Sequence, residues 1–134
     1  MKLSDHTLSV LKNFATINSG MVLNAGKVQR TIDAEKSILV EATVADDIPT
    51  KFGIYDLNQF LGNVTTLKNP DLKFDDEIVT LDDGELAFKY RACSANLIIT
   101  PPEKELVMKD ITVSFLLSNA ILQKLLKVAT MNNL

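Results

Sequence analysis

The sequence predicts an α+β fold in which antiparallel sheets carry amphipathic helices on one face. Two stretches place apolar residues at helical spacing behind a capping residue, and several runs between them alternate apolar with polar residues as half-buried strands do. Residues 116–132 also match residues 2–18 at seven of seventeen positions, at an offset of 114, which favours an internal duplication over chance similarity between two amphipathic helices. Helices that cover one face of an antiparallel sheet are typical of the α+β class.

The first helix is predicted over residues 5–17. Ser4 is placed to cap its N-terminus through the side-chain hydroxyl. Leu8, Leu11 and Phe14 fall on one side of this helix, which we expect to be buried.

A first group of strands follows this helix. We expect the first two strands to form a hairpin through a short turn that contains Gly26. Residues 46–49 are predicted to be a loop, because Pro49 disfavours helix at the residue before it. The predicted strands of this group are residues 21–24, 27–32, 37–44 and 52–55.

The second helix is predicted over residues 56–66, with Asp56 as its N-cap. Gly62 lies in its middle, where glycine costs about 1 kcal/mol relative to alanine, so we expect a close approach of a neighbouring element there. A second group of strands follows, with a hairpin turn at residues 82–84. Its predicted strands are residues 72–74, 77–81, 85–91 and 95–99.

The repeat predicts how the chain is divided into domains. Residues 1–110 form a first domain with two amphipathic helices on one face of its sheets. Residues 111–134 hold the first strand (111–117) and helix of a truncated second copy, which Ser118 is placed to cap. Two full copies would need roughly 228 residues. We therefore expect this chain to be a piece of a longer protein.

No catalytic residue, metal ligand or cofactor site is predicted. The chain has one cysteine, Cys93, and one histidine, His6, and we expect neither to be catalytic. The acidic clusters fall in predicted turns, where turn chemistry explains them without a metal. No apolar run is long enough to span a membrane, and residues 1–5 do not resemble a signal peptide, so we expect a cytoplasmic protein.

The charges on the helices are more informative. The formal net charge of −3 argues against a surface that grips nucleic acid everywhere, but a segregated basic face remains possible. Acidic residues collect in loops and turns, which predicts an acidic sheet side and a neutral to basic helical layer. Such a layer could hold DNA by its phosphates without reading bases. Each lysine alone could equally be an ordinary solvated side chain. The candidate residues are Lys12, Lys68, Lys124 and Lys127.

Two segments resemble the sliding clamp, or DNA polymerase processivity factor, of T-even-type bacteriophages. The similarity is closest at residues 11–20, LKNFATINSG, and at residues 54–57, IYDL. The resemblance implies a DNA-clamp fold with two clamp domains per subunit and a head-to-tail homotrimer. The ring would encircle duplex DNA, with helices lining the hole and sheets outside.

The resemblance also implies the partners. These would be duplex DNA, the replicative DNA polymerase and an ATP-driven clamp loader, with a further role in phage late transcription in the host cell cytoplasm. The clamp itself would not be an enzyme. Lys12 is the DNA-facing residue that the resemblance supports best, and Lys124 and Lys127 follow from the repeat. The alternative is a clamp-fold interaction module that binds peptides or itself without encircling DNA.

Overall fold

A computed structural model describes residues 1–105 and 107–134, and within them the chain is α+β with small antiparallel sheets and three α-helices. The chain forms two compact units, Met1–Glu103 and Lys104–Leu134. The elements of the first unit are α1 (Asp5–Ala15), β1 (Met21–Leu23), β2 (Gly26–Ile32), β3 (Leu39–Ile48), β4 (Phe52–Ile54), α2 (Leu57–Thr66), β5 (Asp71–Phe74), β6 (Ile78–Asp82), β7 (Ala87–Arg91) and a 3₁₀ turn (Ala95–Leu97). The second unit contains α3 (Asn119–Met131).

The strands form three antiparallel sheets, β1 with β4, β2 with β3, and β5-β6-β7. The predicted hairpin between β1 and β2 is therefore wrong. The turn between β1 and β2 is held instead by the side chain of Gln29, a residue that is 0 % exposed. The Gln29 amide accepts a bond from Asn24 N at 2.9 Å and donates to Asn24 O at 2.8 Å. The Gln29 side chain thus satisfies the backbone N–H and C=O of Asn24, which a neighbouring strand of a hairpin would otherwise have satisfied.

Strand β3 runs four residues beyond its predicted end, to Ile48, so the predicted loop at residues 46–49 is mostly strand. Pro49 restricts the residue before it to extended conformations, and a strand satisfies that restriction as well as a loop does. The strand predicted at residues 95–99 is wrong too. Ser94 caps a 3₁₀ turn there, accepting a bond from Asn96 N at 3.4 Å.

Both helices of the first unit bury an apolar face in one core. Helix α1 contacts α2 and β3. The ring of Phe60 in α2 meets Tyr90 of β7 edge to face at 5.3 Å, and Phe52 meets Phe74 in the same way at 5.5 Å. The helix residues buried in this core are Leu11, Phe14, Leu57, Phe60, Leu61 and Val64.

Two glycines differ in what surrounds them. A Cβ added at Gly53 in β4 would overlap the carbonyl oxygen of Cys93, whose N–H donates to Gly53 O at 3.0 Å. Gly53 is therefore needed for the close packing of β4 against the chain that follows β7. Gly62 is exposed and a Cβ there would meet nothing within 4 Å, so the predicted close approach is wrong for this chain.

The second unit contains the capped helix that the repeat predicts. Ser118 Oγ accepts a bond from Ile121 N at 3.3 Å, which equals the distance from Ser4 Oγ to Thr7 N. The strand predicted at residues 111–117 is absent, because those residues have no hydrogen-bonded neighbour of the kind that defines a strand. The assignment of residues 111–134 to a second copy stays a prediction.

The two glycines give a matched test of the packing. We expect Gly53→Ala to lower the free energy of unfolding by about 1–3 kcal/mol, because the new methyl group overpacks the β4 contact. We expect Gly62→Ala to raise it by about 0.5–1 kcal/mol, because helix propensity improves in open space. Urea unfolding measures both. A stable Gly53→Ala variant, or a destabilised Gly62→Ala variant, would contradict this account.

Candidate nucleic-acid interface

The first turn of α1 is tied to β3 by a network of hydrogen bonds. Asp46 Oδ2 accepts bonds from Ser4 N at 2.7 Å and from Ser4 Oγ at 2.8 Å. Asp46 N donates to the hydroxyl of the buried Thr7 at 3.4 Å. Ser4 in turn caps the helix. This network fixes the position of α1, and therefore of the outer face that carries Lys12.

The carboxylate of Asp46 is held in its charged form. Partial burial acts to raise its pKa, but hydrogen bonds from Thr7 and Ser4, together with the nearby His6, outweigh burial. The pKa of Asp46 consequently lies below its usual range.

A groove of about 520 Å³ lies between α1 and the C-terminal end of α2, and it brings two predicted residues together. Lys12 and Lys68 both line it, and both are exposed. Residue 68 is also held through its backbone, since Lys68 N donates to Asp83 Oδ2 at 3.3 Å. Thr65 and Asn69 contribute polar side chains to the same groove, and Asp5 contributes one carboxylate. The arrangement offers two ammonium groups to an anion lying along the helices.

Two of the acidic residues, Asp33 and Asp83, stabilise turns. Asp33 Oδ1 accepts bonds from Ser37 N and Ile38 N, each at 2.7 Å, and Asp83 Oδ1 accepts from Glu85 N and Leu86 N at 2.9 and 2.8 Å. Backbone hydrogen bonds, from Ile38 and from Leu86 respectively, are the main cause that lowers the pKa of each carboxyl. Turn chemistry therefore accounts for these two acidic residues without a metal.

The strands themselves are not acidic, so the predicted acidic sheet side needs correction. Cations stand on the exposed faces of β2, β5 and β7, among carboxylates of similar number. The acidic surplus lies in the turns at the sheet ends, where Asp side chains accept hydrogen bonds from backbone amides. The exposed strand cations are Lys27, Lys73, Lys89 and Arg91.

Lys124 and Lys127 lie on α3 in the second unit, and both are exposed. The repeat places Lys127 at the position of Asn13, which is exposed on α1, and Lys124 at the position of Val10, which is half-buried. A second copy that packed as the first does would thus keep Lys127 on its outer face and place Lys124 at the edge of its core. By analogy with α1, Lys127 is therefore the better candidate than Lys124 for a residue on the outer face of such a copy.

The described residues supply little for catalysis or metal binding. Burial raises the pKa of the Cys93 thiol, which disfavours the reactive thiolate. His6 stands on the exposed face of α1. Within residues 1–105 and 107–134, no three His, Cys, Asp or Glu side chains are grouped as metal ligands. No helix in those ranges has the length and apolar character to cross a membrane.

Sequence reasoning missed the role of Asp46. The alternation of the strand carried this information. Val44, Asp46 and Ile48 lie on the same face of β3, and Val44 and Ile48 are both buried. Continuing the alternation past residue 44 would have turned Asp46 toward α1.

Comparisons with known proteins agree on one family. The family model described as DNA polymerase processivity factor matches residues 2–89. The sliding clamp of Vibrio phage KVP40 is 38 % identical over 105 residues, covering 78 % of this chain and 48 % of that protein. The sliding clamp of Enterobacteria phage T4 is 36 % identical over 104 residues, covering 75 % and 45 % respectively. The sliding clamp of Escherichia phage RB69 is 38 % identical over 86 residues, covering 64 % of this chain and 36 % of that protein. The matches thus span about half or less of these relatives.

The Asp46 network predicts a pH-dependent contribution to stability. We expect Asp46→Asn to lower the free energy of unfolding at pH 7 by about 1–3 kcal/mol, because it removes a charged acceptor from the α1 cap. The folded pKa is depressed, so this contribution is full above the ordinary value of 3.8 and is lost as pH falls below it. Unfolding curves from pH 7 to pH 3 measure the difference.

Asp47→Asn is the matched control, because the Asp47 side chain is exposed on the opposite face of the same strand. It should change stability little at any of these pH values. A constant gap between wild type and Asp46→Asn down to pH 3 would contradict the assignment.

Proposed function

The chain belongs to the DNA polymerase processivity factor family, and on that premise we propose that it acts as part of a sliding clamp. Such a clamp encircles duplex DNA and tethers the replicative DNA polymerase for processive synthesis. The observation that carries the proposal is the groove between α1 and α2, which Lys12 and Lys68 both line. The relatives that this chain matches are named sliding clamps of phages.

The proposed contact is to phosphates and not to bases. Two exposed lysines, one on α1 and one in the turn that follows α2, can screen backbone charge at any sequence. Water-screened contacts of this kind hold DNA while still letting a ring move along it. Lys12 and Lys68 would act from the first domain, and Lys127, more than Lys124, from the second.

We extend the proposal to the assembly. Residues 1–110 would be the first clamp domain, and residues 111–134 would begin a second one. Complete subunits would form a head-to-tail homotrimer that a clamp loader opens. The clamp would work in the host cell cytoplasm, would also serve late transcription, and would have no catalytic activity of its own.

The interaction module without DNA encirclement is the competing proposal. It shares the fold, so the two proposals differ in what they expect of the exposed lysines. Exposed lysines that line one groove support a DNA-facing layer, because a protein that holds duplex DNA neutralises its phosphates with Lys and Arg.

Charge reversal in the groove tests the proposed DNA contact. We expect Lys12→Glu with Lys68→Glu to weaken binding to a short duplex at low salt, because two phosphate contacts are lost. The slope of log K against log[salt] should fall by roughly 0.9 for each lost contact. Fluorescence anisotropy over a salt series measures both quantities.

Lys73→Glu is the control, since Lys73 is exposed on β5 and lies outside the groove. In the second unit, Lys127→Glu should weaken binding more than Lys124→Glu. If the groove variant binds DNA with unchanged affinity and salt slope, the lysines do not face DNA and the interaction module is favoured.

A further inference from the structure

The segment that follows the 3₁₀ turn, residues 98–102, lies on the first unit without belonging to any of its sheets. We call this segment the strap. The backbone of this part of the chain last bonds to a strand at Cys93, whose N–H donates to Gly53 O at 3.0 Å. Ile98 N bonds within the turn, to Ala95 O at 3.2 Å. The strap is therefore held on the first unit by side chains.

One side chain of the strap is buried. Ile98 is 8 % exposed, whereas its neighbours Leu97 and Ile99 are 68 % and 42 % exposed. The Ile98 side chain lies against two glycines, because its atoms come within 3.5 Å of where a Cβ would stand on Gly20 and within 3.6 Å of the same point on Gly53. The absence of side chains at these two positions leaves the space that Ile98 fills.

The surface beneath Ile98 is the face of β1 and β4 that is turned away from the main core. Val22 stands opposite Gly53 in this strand pair, and the residues on either side of Val22 belong to the core, so Val22 itself faces the other way. Val22 and Ile98 are both buried, yet neither belongs to the main core. Val22 also lines a groove of about 300 Å³ together with Thr100 and Pro101 of the strap. The strap thus covers apolar surface on this face.

Two side chains bind backbone carbonyl groups near the two ends of the strap. Asn18 Nδ2 donates to Ile99 O at 3.0 Å, and it also donates to Ile32 O, at the end of β2, at 2.9 Å. Arg30 Nη1 donates to Pro102 O at 2.7 Å. Both bonds to the strap lie at the surface, where water competes for the same groups.

The repeat preserves the first of these two residues, because Asn132 occupies the position of Asn18. Asn132 Nδ2 donates to Val128 O at 2.8 Å, which is a bond within α3. An asparagine at the end of the helix therefore does not by itself hold another segment. The bond from Asn18 depends on the carbonyl groups that β2 and the strap bring to it.

We propose that the strap is a releasable cover, which opens as one unit while the rest of the first unit stays folded. One buried side chain and two surface hydrogen bonds hold it, and segments with few buried contacts open at the lowest free energy. Opening exposes Ile98, uncovers Val22 and removes one wall of the groove. The inference does not depend on the proposed DNA contact, because the strap lies outside the groove that Lys12 and Lys68 line.

Thermolysin digestion of the full chain tests the proposal. This protease cleaves before leucine and isoleucine, so a cut between residues 96 and 99 requires Ile98 to leave its site, and mass spectrometry separates such cuts from others. The initial rate follows the population of the open form. We expect it to be lower than for a free peptide of residues 94–103. We also expect it to change little with urea below the unfolding transition, because local opening exposes little surface.

Two variants test how the strap is held. Asn18→Asp removes both donors of Asn18 but keeps the oxygen that accepts from Gly20 N, and it should speed cleavage between residues 96 and 99 roughly fivefold, because one hydrogen bond to the strap is lost. Arg30→Gln should speed the same cuts by a similar factor. Pro102 lies beyond the cut sites, so this second effect is expected only if the strap opens as one unit.

Two matched controls leave the strap bonds in place. Asn132→Asp makes the same change at the repeated position, and Glu41→Gln removes the charge that pairs with Arg30 Nε at 3.2 Å without removing the Arg30 bond to Pro102. Neither should alter cleavage of the strap.

Three results would overturn the proposal. A cleavage rate that rises with urea as steeply as global unfolding would show that the strap does not open by itself. Equal rates for the chain and the free peptide would show that it is not closed. An effect of Asn18→Asp without one of Arg30→Gln would show that its two ends open separately.

Discussion

The carboxylate of Asp46 joins the first turn of α1 to the strand beneath it, and the surface built on that helix depends on this join. Ser4 caps the helix and donates to Asp46 at the same time, while Thr7 is buried beside them. Leu11 and Phe14 then fix the helix against the core that also holds α2. With both helices fixed, the outer faces have one arrangement, and the groove between them has lysines on its two sides.

This arrangement explains how a protein with a net charge of −3 can present a helical face that carries exposed lysines and few carboxylates. The acidic residues Asp33 and Asp83 hold turns through hydrogen bonds to backbone amides, and the exposed strands carry charges of both signs. The helical face is distinguished less by a high density of positive charge than by its near absence of carboxylates. Contacts of that strength suit a protein that must stay on DNA without stopping at any sequence.

The α+β class, the three helix N-caps and most strand positions follow from local patterns, because capping and alternation are properties of a few neighbouring residues. Ser4, Asp56 and Ser118 all act as N-caps where the sequence places them. The pairing of β1 with β4 could not be predicted in this way, because it depends on Gln29 replacing a strand partner from five residues away. Lys12 and Lys68 were each singled out by charge, but the groove that joins them depends on the packing of α1 and α2. The close approach predicted at Gly62 was wrong for a related reason. The free-energy cost of glycine in a helix does not show whether another element packs against that position.

Encirclement of DNA is the central claim, and topology tests it most directly. The complete subunit that contains this chain is loaded on nicked circular duplex DNA with a clamp loader from a T4-like phage and ATP, and the complex is separated from free protein at high salt. The account predicts that protein stays with the circle and is released when a single cut makes the DNA linear, because a ring slides off an open end. Equal retention on circular and linear DNA, or none on either, would contradict it.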